Sequence, residues 1–292
     1  MRILAAIVTY NRLELLKECL EELKKQSYSD FDILVVDNAS TDGTTEYLQE
    51  NKDILNIMYE NTGANLGGAG GFNYALKKAV LLDYDYVWIM DDDTMVTKDA
   101  LLKMVDIITA SKKKFGFITS NILWTDGNKC RMNEQKLIGK NKYFGGRVTL
   151  CREATFVSVL FPVSIIREMG LPVKEFFIWG DDVEYTRRIS KKYPCYYVDD
   201  SVVIHKTQNN VGSNISIDDE GRIARYEYAY RNEVFIAKKE GIFRILYQIA
   251  KVGYHIARVV LKAKDNKFKR IKIIIGATIK GIKFNPEIEY IS

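Results

Sequence analysis

Short, nearly unbroken apolar runs alternate with amphipathic segments through the first two-thirds of the chain. Residues 3–9, Ile-Leu-Ala-Ala-Ile-Val-Thr, are apolar throughout, as in a strand covered on both faces of a parallel sheet. Leu13, Leu16, Leu20 and Leu23 then recur at helical spacing, with Asn11 placed to cap that helix. Residues 31–36 predict a second strand, ending at Asp37-Asn38-Ala39-Ser40. Thr41-Asp42-Gly43 predicts a turn into a helix over 44–50, and 54–59 a third strand. A glycine-dense stretch, 61–72, feeds a helix over 73–82, and 86–90 is a further β-rich apolar run. This alternation predicts an α/β fold with right-handed crossovers and a mostly parallel sheet.

Farther on, the pattern predicts a helix over 99–111, a strand over 115–120, a second over 154–160, a short helix over 162–169 and a strand over 195–204. The polar, basic stretch 121–150 suits an excursion at the sheet edge that helps form an acceptor groove. From about Arg222 the signal turns helical, with Tyr226, Tyr230, Val234 and Ala237 at helical intervals. The chain thus divides into residues 1–221 and a helical C-terminal region, 222–292.

Composition narrows the class. A chain of 292 residues with 47% hydrophobic and 28% charged residues has material for a sizeable core. The four cysteines form no CxxC pair, which reads as reduced thiols in a cytosolic protein without a zinc cluster. The first residues read as a strand rather than a signal peptide. No apolar run reaches the roughly 20 residues that span a bilayer. The net charge of +5 is concentrated toward the C-terminus, and no aromatic–basic motif there points to nucleic acid.

The chemistry begins where the run 86–90 ends in Asp91, Asp92 and Asp93. In an open α/β sheet, ligands sit beyond the carboxyl ends of strands. Alternate residues share a side, so Asp91 and Asp93 are candidates to share one ion, and oxygen ligands suit Mg²⁺ or Mn²⁺ holding a substrate phosphate. A solvated acidic loop is the alternative. The glycine-rich stretch could approach a phosphate at a helix N-terminus, or be a flexible connection; it lacks a Walker lysine. A second acidic pair, Asp181-Asp182, follows the aromatic block 176–179 and opens a helix. Such acids serve as caps or dipole partners, or as a general base. Trp179 offers a flat face to a ring, and Arg187 or Arg188 could pair with these acids or neutralise a bound phosphate. Residues 207–221 read as a mobile lid or a plain surface loop.

Four motifs in order carry a resemblance: Val8-Thr9-Tyr10-Asn11-Arg12, the run from Val35 to Thr44, Asn65-Leu66-Gly67-Gly68-Ala69-Gly70-Gly71-Phe72, and Asp91-Asp92-Asp93. Together they resemble a family 2 inverting glycosyltransferase of the GT-A fold, a Rossmann-like domain, over roughly residues 1–205. The resemblance implies a nucleotide-sugar site with Thr9, Asn11 and Asp37 against nucleobase and ribose. Arg12, Asn65, Gly67, Gly68, Asp91 and Asp92 would also face the donor. It implies a metal, Mn²⁺ or Mg²⁺, on Asp91, Asp93 and His205. The base would be Asp182 with Asp181 beside it, and the acceptor would meet Trp179 and Glu184. The glycine-dense loop is similar to that of galactofuranosyltransferases; a rhamnosyltransferase using a dTDP-linked donor is the second expectation, with UDP favoured as the nucleotide. Two other classes stay open: a sugar nucleotidyltransferase, and a non-catalytic sugar-nucleotide-binding protein.

The C-terminal region mixes apolar and basic residues from 242 to 284. Ile242, Leu246, Ile249, Val252, His255 and Ile256 are expected on one side of a helix. This pattern suits an interfacial helix on anionic lipid, or helices packed on the catalytic domain with a solvated basic face. The first option implies a cytoplasmic enzyme, peripheral at the inner face of the cell membrane, acting on a glycan or lipid-linked oligosaccharide for a bacterial surface polysaccharide.

Overall fold

The computed structural model describes residues 1–291, the side chains of 140 and 141 excepted; Ser292, the end of the expected C-terminal region, lies outside them. In chain order the elements are β1 (Ile3–Thr9), α1 (Leu13–Lys24), β2 (Asp32–Asp37), α2 (Thr44–Leu55), β3 (Ile57–Asn61), α3 (Gly67–Leu81), β4 (Tyr86–Asp91), β5 (Thr94–Val96) and α4 (Ala100–Ala110). There follow β6 (Ile118–Trp124), β7 (Lys136–Tyr143), β8 (Val148–Glu153), β9 (Val159–Pro162), α5 (Val163–Met169), α6 (Asp181–Ser190) and β10 (Tyr196–His205). Four helices close the chain: α7 (Glu220–Ile223), α8 (Tyr226–Glu240), α9 (Ile242–Lys262) and α10 (Lys267–Lys283). The sheet runs β3-β2-β1-β4-β9-β6-β10-β8-β7, with β5 on β10. Strands β3, β2, β1 and β4 are parallel, as are β6 and β10; β9 is antiparallel between β4 and β6. The hairpin β7–β8 is the expected edge excursion.

The unbroken apolar character of β1 has its cause here. Ile3, Ala5 and Ile7 join one core layer with α1, α2 and α4, while Leu4, Ala6 and Val8 join the other with α3, α5 and α6. Residues alternate across a strand, so a doubly covered strand has no polar side. The register sets Thr9 beside Asp37 and Val8 beside Asp91, so the ends of β1, β2 and β4 form one edge.

Several boundaries differ from the sequence expectation. Helix α2 runs on to Leu55 and stops at Asn56 in the left-handed region (φ 53°), so the third strand starts at Ile57 rather than Ile54. Helix α1 is not capped by Asn11, which sits at φ 54° and accepts from the Thr41 amide at 2.6 Å. Asp42, from the next loop, accepts from the Leu13 amide at 3.0 Å and from the Thr44 hydroxyl at 2.6 Å, serving the starts of two helices. The glycine run is the first turns of α3 rather than a loop before Asn73. Glycine is needed at Gly71 for close approach: a Cβ there would lie 2.4 Å from Val8 Cγ1. Gly71→Ala should therefore cost about 1–3 kcal/mol by overpacking, whereas Gly68→Ala, with nothing within 4 Å, should be neutral or stabilising. Thermal melts of the two variants check this; equal melting temperatures would refute the close-packing account.

The C-terminal helices are built into the body. Phe235 and Ile236 of α8 share a core with Ala69, Val173 and Phe176. Buried Arg270 of α10 donates to the Ile215 and Asp218 carbonyls, anchoring the second half of the stretch expected as a lid or loop. The tail returns to the catalytic layers through Glu289, which pairs with Lys77 and Lys174.

Candidate active site

The β4 edge delivers the acids and β5 delivers their partner. Strand β5 pairs antiparallel with β10 and sets His205 opposite Thr94, next to Asp93. His205 Nε2 lies 2.9 Å from Asp93 Oδ1, and one ligand atom each from Asp91, Asp93 and His205 fall within 4.8 Å of one another. An imidazole with two carboxylates is a donor set suited to Mn²⁺ or Mg²⁺. The second ring nitrogen, Nδ1, is held by Asn133 Oδ1 at 2.9 Å, the outer-shell support that orients a ligating histidine. Asn133 was not foreseen; it comes from the excursion between β6 and β7, whose path no local pattern reports.

Charge is crowded at this edge. Burial raises Asp91 to about 6, with the Asp93 charge adding to it. Burial likewise raises Asp92 to about 7, against the pull of Arg12 and a 2.8 Å hydrogen bond from Thr9. Asp93 goes the other way: burial pushes up, but the His205 hydrogen bond and charge and the Arg12 charge win, and its carboxyl sits below the usual range. His205 is pulled down by burial but held at about 10 by Asp93, Cys130 and Asp91. Arg12 reaches Asp93 at 2.7 Å and Asp92 at 3.2 Å. A cavity of about 500 Å³ opens over the cluster, and Arg12, Lys206, Arg222 and Arg225 place four cations on its wall. Arg225 has no ion pair among the described residues. Arg222 of α7 and Arg225 just after it were missed, since a one-turn helix after a polar loop has no periodicity to read.

The second acidic pair lies near the same cluster. Ile178 and Trp179, just ahead of it, line that cavity, and the charge of Asp91 helps raise both Asp181 and Asp182. Burial is the main cause: Asp182 sits at about 6, and Asp181 well above its ordinary value. The aromatic lead-in is strained, with Phe177 at φ 64° and Trp179 at φ 66°. Buried Asn232 of α8 holds it, donating to the carbonyls of Phe176, Ile178 and Trp179 at 3.1, 3.2 and 2.8 Å. Asn232→Leu removes the side-chain donor from the Ile178 and Trp179 carbonyls in a buried site; it should lower kcat with less effect on donor binding, read from steady-state rates beside a donor titration.

Other expected site residues are placed differently. Glu184 is no acceptor contact: it is buried and ion-paired with Arg188 at 2.8 Å, because two helical steps rotate it about 200° from Asp182. Arg188 is committed to Glu184 and the Leu171 carbonyl, and Arg187 to Glu153 and Glu240, so neither meets a diphosphate. Asp37 is wholly buried and accepts from the Ser40 amide, Thr45 and Tyr59; its carboxylate shapes the loop, and the exposed neighbours Asn11 and Ser40 offer the free surface. The Gly67 amide is taken by Asn65 at 2.9 Å and the Ala69 amide by Phe177 at 3.1 Å, which leaves the open backbone at Gly68. Trp179 lines the cavity but packs edge-on against Tyr226, ring centroids 5.1 Å apart. All four cysteines are free and buried.

A parallel half-sheet whose fourth strand ends in acids, continued by an antiparallel half that returns a histidine to them, is the architecture of GT-A nucleotide-sugar transferases. Residues 5–154, just over half of the chain, match the family model "Glycosyl transferase family 2". The chain belongs to that family and is a glycosyltransferase, which sets aside the nucleotidyltransferase and non-catalytic readings. Galactofuranosyltransferase GlfT1 of Mycobacterium tuberculosis is 25% identical over 269 residues, 84% of this chain and 85% of that one. Among solved structures, S. aureus TarS 1-349 in complex with UDP superposes with a TM-score of 0.58 at 16% identity, over 97% of this chain and 72% of that one; this chain spans 44% of the longer TarS chain. Mannosyltransferase PcManGT from Pyrobaculum calidifontis, in complex with GDP-Man and Mn²⁺, gives 0.57 at 17% identity, over 97% and 75%.

Proposed function

We propose that this glycosyltransferase moves a hexosyl group, galactofuranosyl before rhamnosyl, from a nucleoside diphosphate donor to a hydroxyl of a glycan acceptor, with inversion. The product belongs to bacterial cell-surface polysaccharide, built on a lipid-linked acceptor at the inner membrane face. One observation carries the reading: the acids ending β4 and the histidine ending β10 converge under a cation-walled cavity whose lining also includes Ile178 and Trp179, just ahead of the Asp181-Asp182 pair. The relative over most of the chain is a galactofuranosyltransferase, which favours that sugar. A UDP donor is favoured over a dTDP-linked one.

Asp91, Asp93 and His205 would hold Mn²⁺ or Mg²⁺, which when bound neutralises charge on the departing diphosphate. Arg12, now on Asp92 and Asp93, and Arg222 and Arg225 across the cavity meet the same negative charge. Asp182, near 6, is largely ionised at neutral pH, where a general base works best. It takes the acceptor hydroxyl's proton as the oxygen bonds to the anomeric carbon, while the bond to the diphosphate oxygen breaks and its electron pair leaves with the nucleotide. Thr9 steadies Asp92, and Asn11 and Ser40 line the nucleoside side. A thermal-shift panel of UDP- and dTDP-sugars with and without Mn²⁺ tests this. The right donor at about 100 times its Kd should stabilise by about 3 kcal/mol, and only with the ion. Stabilisation by no nucleotide sugar under either condition would end the reading.

A further inference from the structure

Helix α9 carries two apolar sides. One packs inward, with Val252, Ile256 and wholly buried Val259 against Tyr226, Tyr230 and Ile274. A polar flank beside it meets α8: Arg244 pairs with Glu240 at 2.8 Å, Lys251 with Glu233 at 2.6 Å, Gln248 bonds Glu233 at 2.9 Å, and His255 meets the Tyr230 hydroxyl at 2.7 Å. The other apolar side points away. Phe243 and Leu261 are 83% and 80% exposed, with Leu246, Tyr254 and Val260 open between them and Ala250, Gly253 and Ala257 filling the stripe. At 100° per residue these positions form one uncharged band about five turns long. Helix α10 also leaves an apolar row outside, although its buried side is mostly apolar and its lysines are exposed. Arg270, Ile274, Ala277 and Gly281 are buried, while Phe268, Ile275, Ile279 and Ile282 are exposed. The sequence expectation grouped Val252, His255 and Ile256 with Ile242, Leu246 and Ile249; the structure puts them toward the protein, half-buried.

We infer that the outer faces of α9 and α10 are a docking surface for an anionic phospholipid bilayer, on which α9 lies flat. Charge selects the occupant. From Ile242 to Lys283 there are eleven basic residues and one acid, Asp265, which Arg270 neutralises. Lys262, Lys264, Lys272 and Lys283 have no hydrogen-bond or ion-pair partner among the described residues. A second copy would bring the same excess of positive charge against itself, whereas anionic headgroups complement it and acyl chains take the apolar band. No helix among the described residues is long and apolar enough to cross a membrane, so the surface lies on the bilayer rather than through it. The polar flank of the same helix adjoins the chemistry: Arg244, Tyr247, Gln248 and Lys251 share a cavity of about 260 Å³ with Trp179 and Gly180, just before the Asp181-Asp182 pair. The inference rests on the proposed function only for what the bilayer carries; binding is read without turnover.

Flotation of the full chain with vesicles tests it. With vesicles of phosphatidylcholine and phosphatidylglycerol the protein should float at low salt and float less at high salt, and with phosphatidylcholine alone it should partition about tenfold more weakly or worse. The variant Phe243→Glu/Leu246→Glu/Leu261→Glu changes only outward positions. It should lose about tenfold or more of the partition while keeping the wild-type melting temperature and donor hydrolysis. A wild-type chain that stays in the aqueous phase with anionic vesicles overturns the proposal, whatever the variant does. So does a dimer in sedimentation that the variant dissolves without any vesicle binding, which would make the partner a second copy. Vesicle binding without transfer would leave the docking surface standing and the proposed reaction fallen.

Discussion

Asp182→Asn should abolish transfer, lowering kcat by about 10²–10⁴, while Mn²⁺-supported donor binding persists. The two acids beside each other have different fates because they cannot both be ionised so close to Asp91. Burial first, then the Asp182 and Asp91 charges, raise Asp181 well above its ordinary value, so it is the harder of the two to keep ionised. Asp182, raised to about 6 mainly by burial, is the ionised member. Below that pH it gains a proton and the base is lost. Wild-type kcat/KM should therefore fall as pH drops through about 6, and the residual activity of Asp182→Asn should lack that limb. Asp181→Asn keeps the base and replaces the less readily ionised acid with a neutral amide, so a loss of about tenfold is expected. Steady-state rates from pH 5 to 8 on the three proteins decide it; a harsher effect at Asp181 would move the base there.

What could be read from the chain was what neighbours in sequence determine. An apolar run ending in acids places those acids on a sheet edge whatever lies around them, and that is where Asp91, Asp92 and Asp93 are found. His205 was reachable through the family resemblance, and the strand before it turned out to be β10, with β5 as its partner. Residues whose role depends on packing were invisible. Nothing local marks Asn232 as the clamp on the Phe176–Trp179 backbone, or Asn133 as the partner of His205. Glu184 was expected at the acceptor, but two helical steps turn it from Asp182 and into an ion pair with Arg188. The period of α9 announced an amphipathic helix but not which apolar residues meet the protein; Val252, Ile256 and Val259 do, with Glu233 and Glu240 of α8 drawing Lys251 and Arg244 to the flank beside them. Glycine density at 67–71 suggested an open loop, when its cause was a helix pressed against Val8.

Asp91→Asn and Asp93→Asn should both silence the enzyme, each costing about 10³-fold or more in turnover, yet they should move the stability of the metal-free protein in opposite directions. Asp91 in the fold sits at about 6, above its ordinary value, chiefly through burial and then the Asp93 charge. A carboxyl raised by folding is a net cost wherever it is ionised in both states, so at pH 7 its neutral replacement should raise the melting temperature. Asp93 is depressed by its hydrogen bond and charge contacts with His205 and by Arg12, which together outweigh burial. Its ionised form stabilises the fold above the unfolded carboxyl range, a contribution that fades as pH falls through the folded value. Asp93→Asn also removes the carboxylate that Arg12 and His205 share, leaving Arg12 only Asp92, so it should melt lower. Each effect is on the order of 1–3 kcal/mol, or a few degrees for a chain of this size. Calorimetry with a chelator present reads the two directions, and saturating Mn²⁺ should reverse the gain at Asp91, since a bound ion offsets the charge that costs stability without it. If both variants melted lower without metal, the carboxylates would be holding the edge together on their own, and the assignment of Asp91 as an acid kept under tension for a cation would fall.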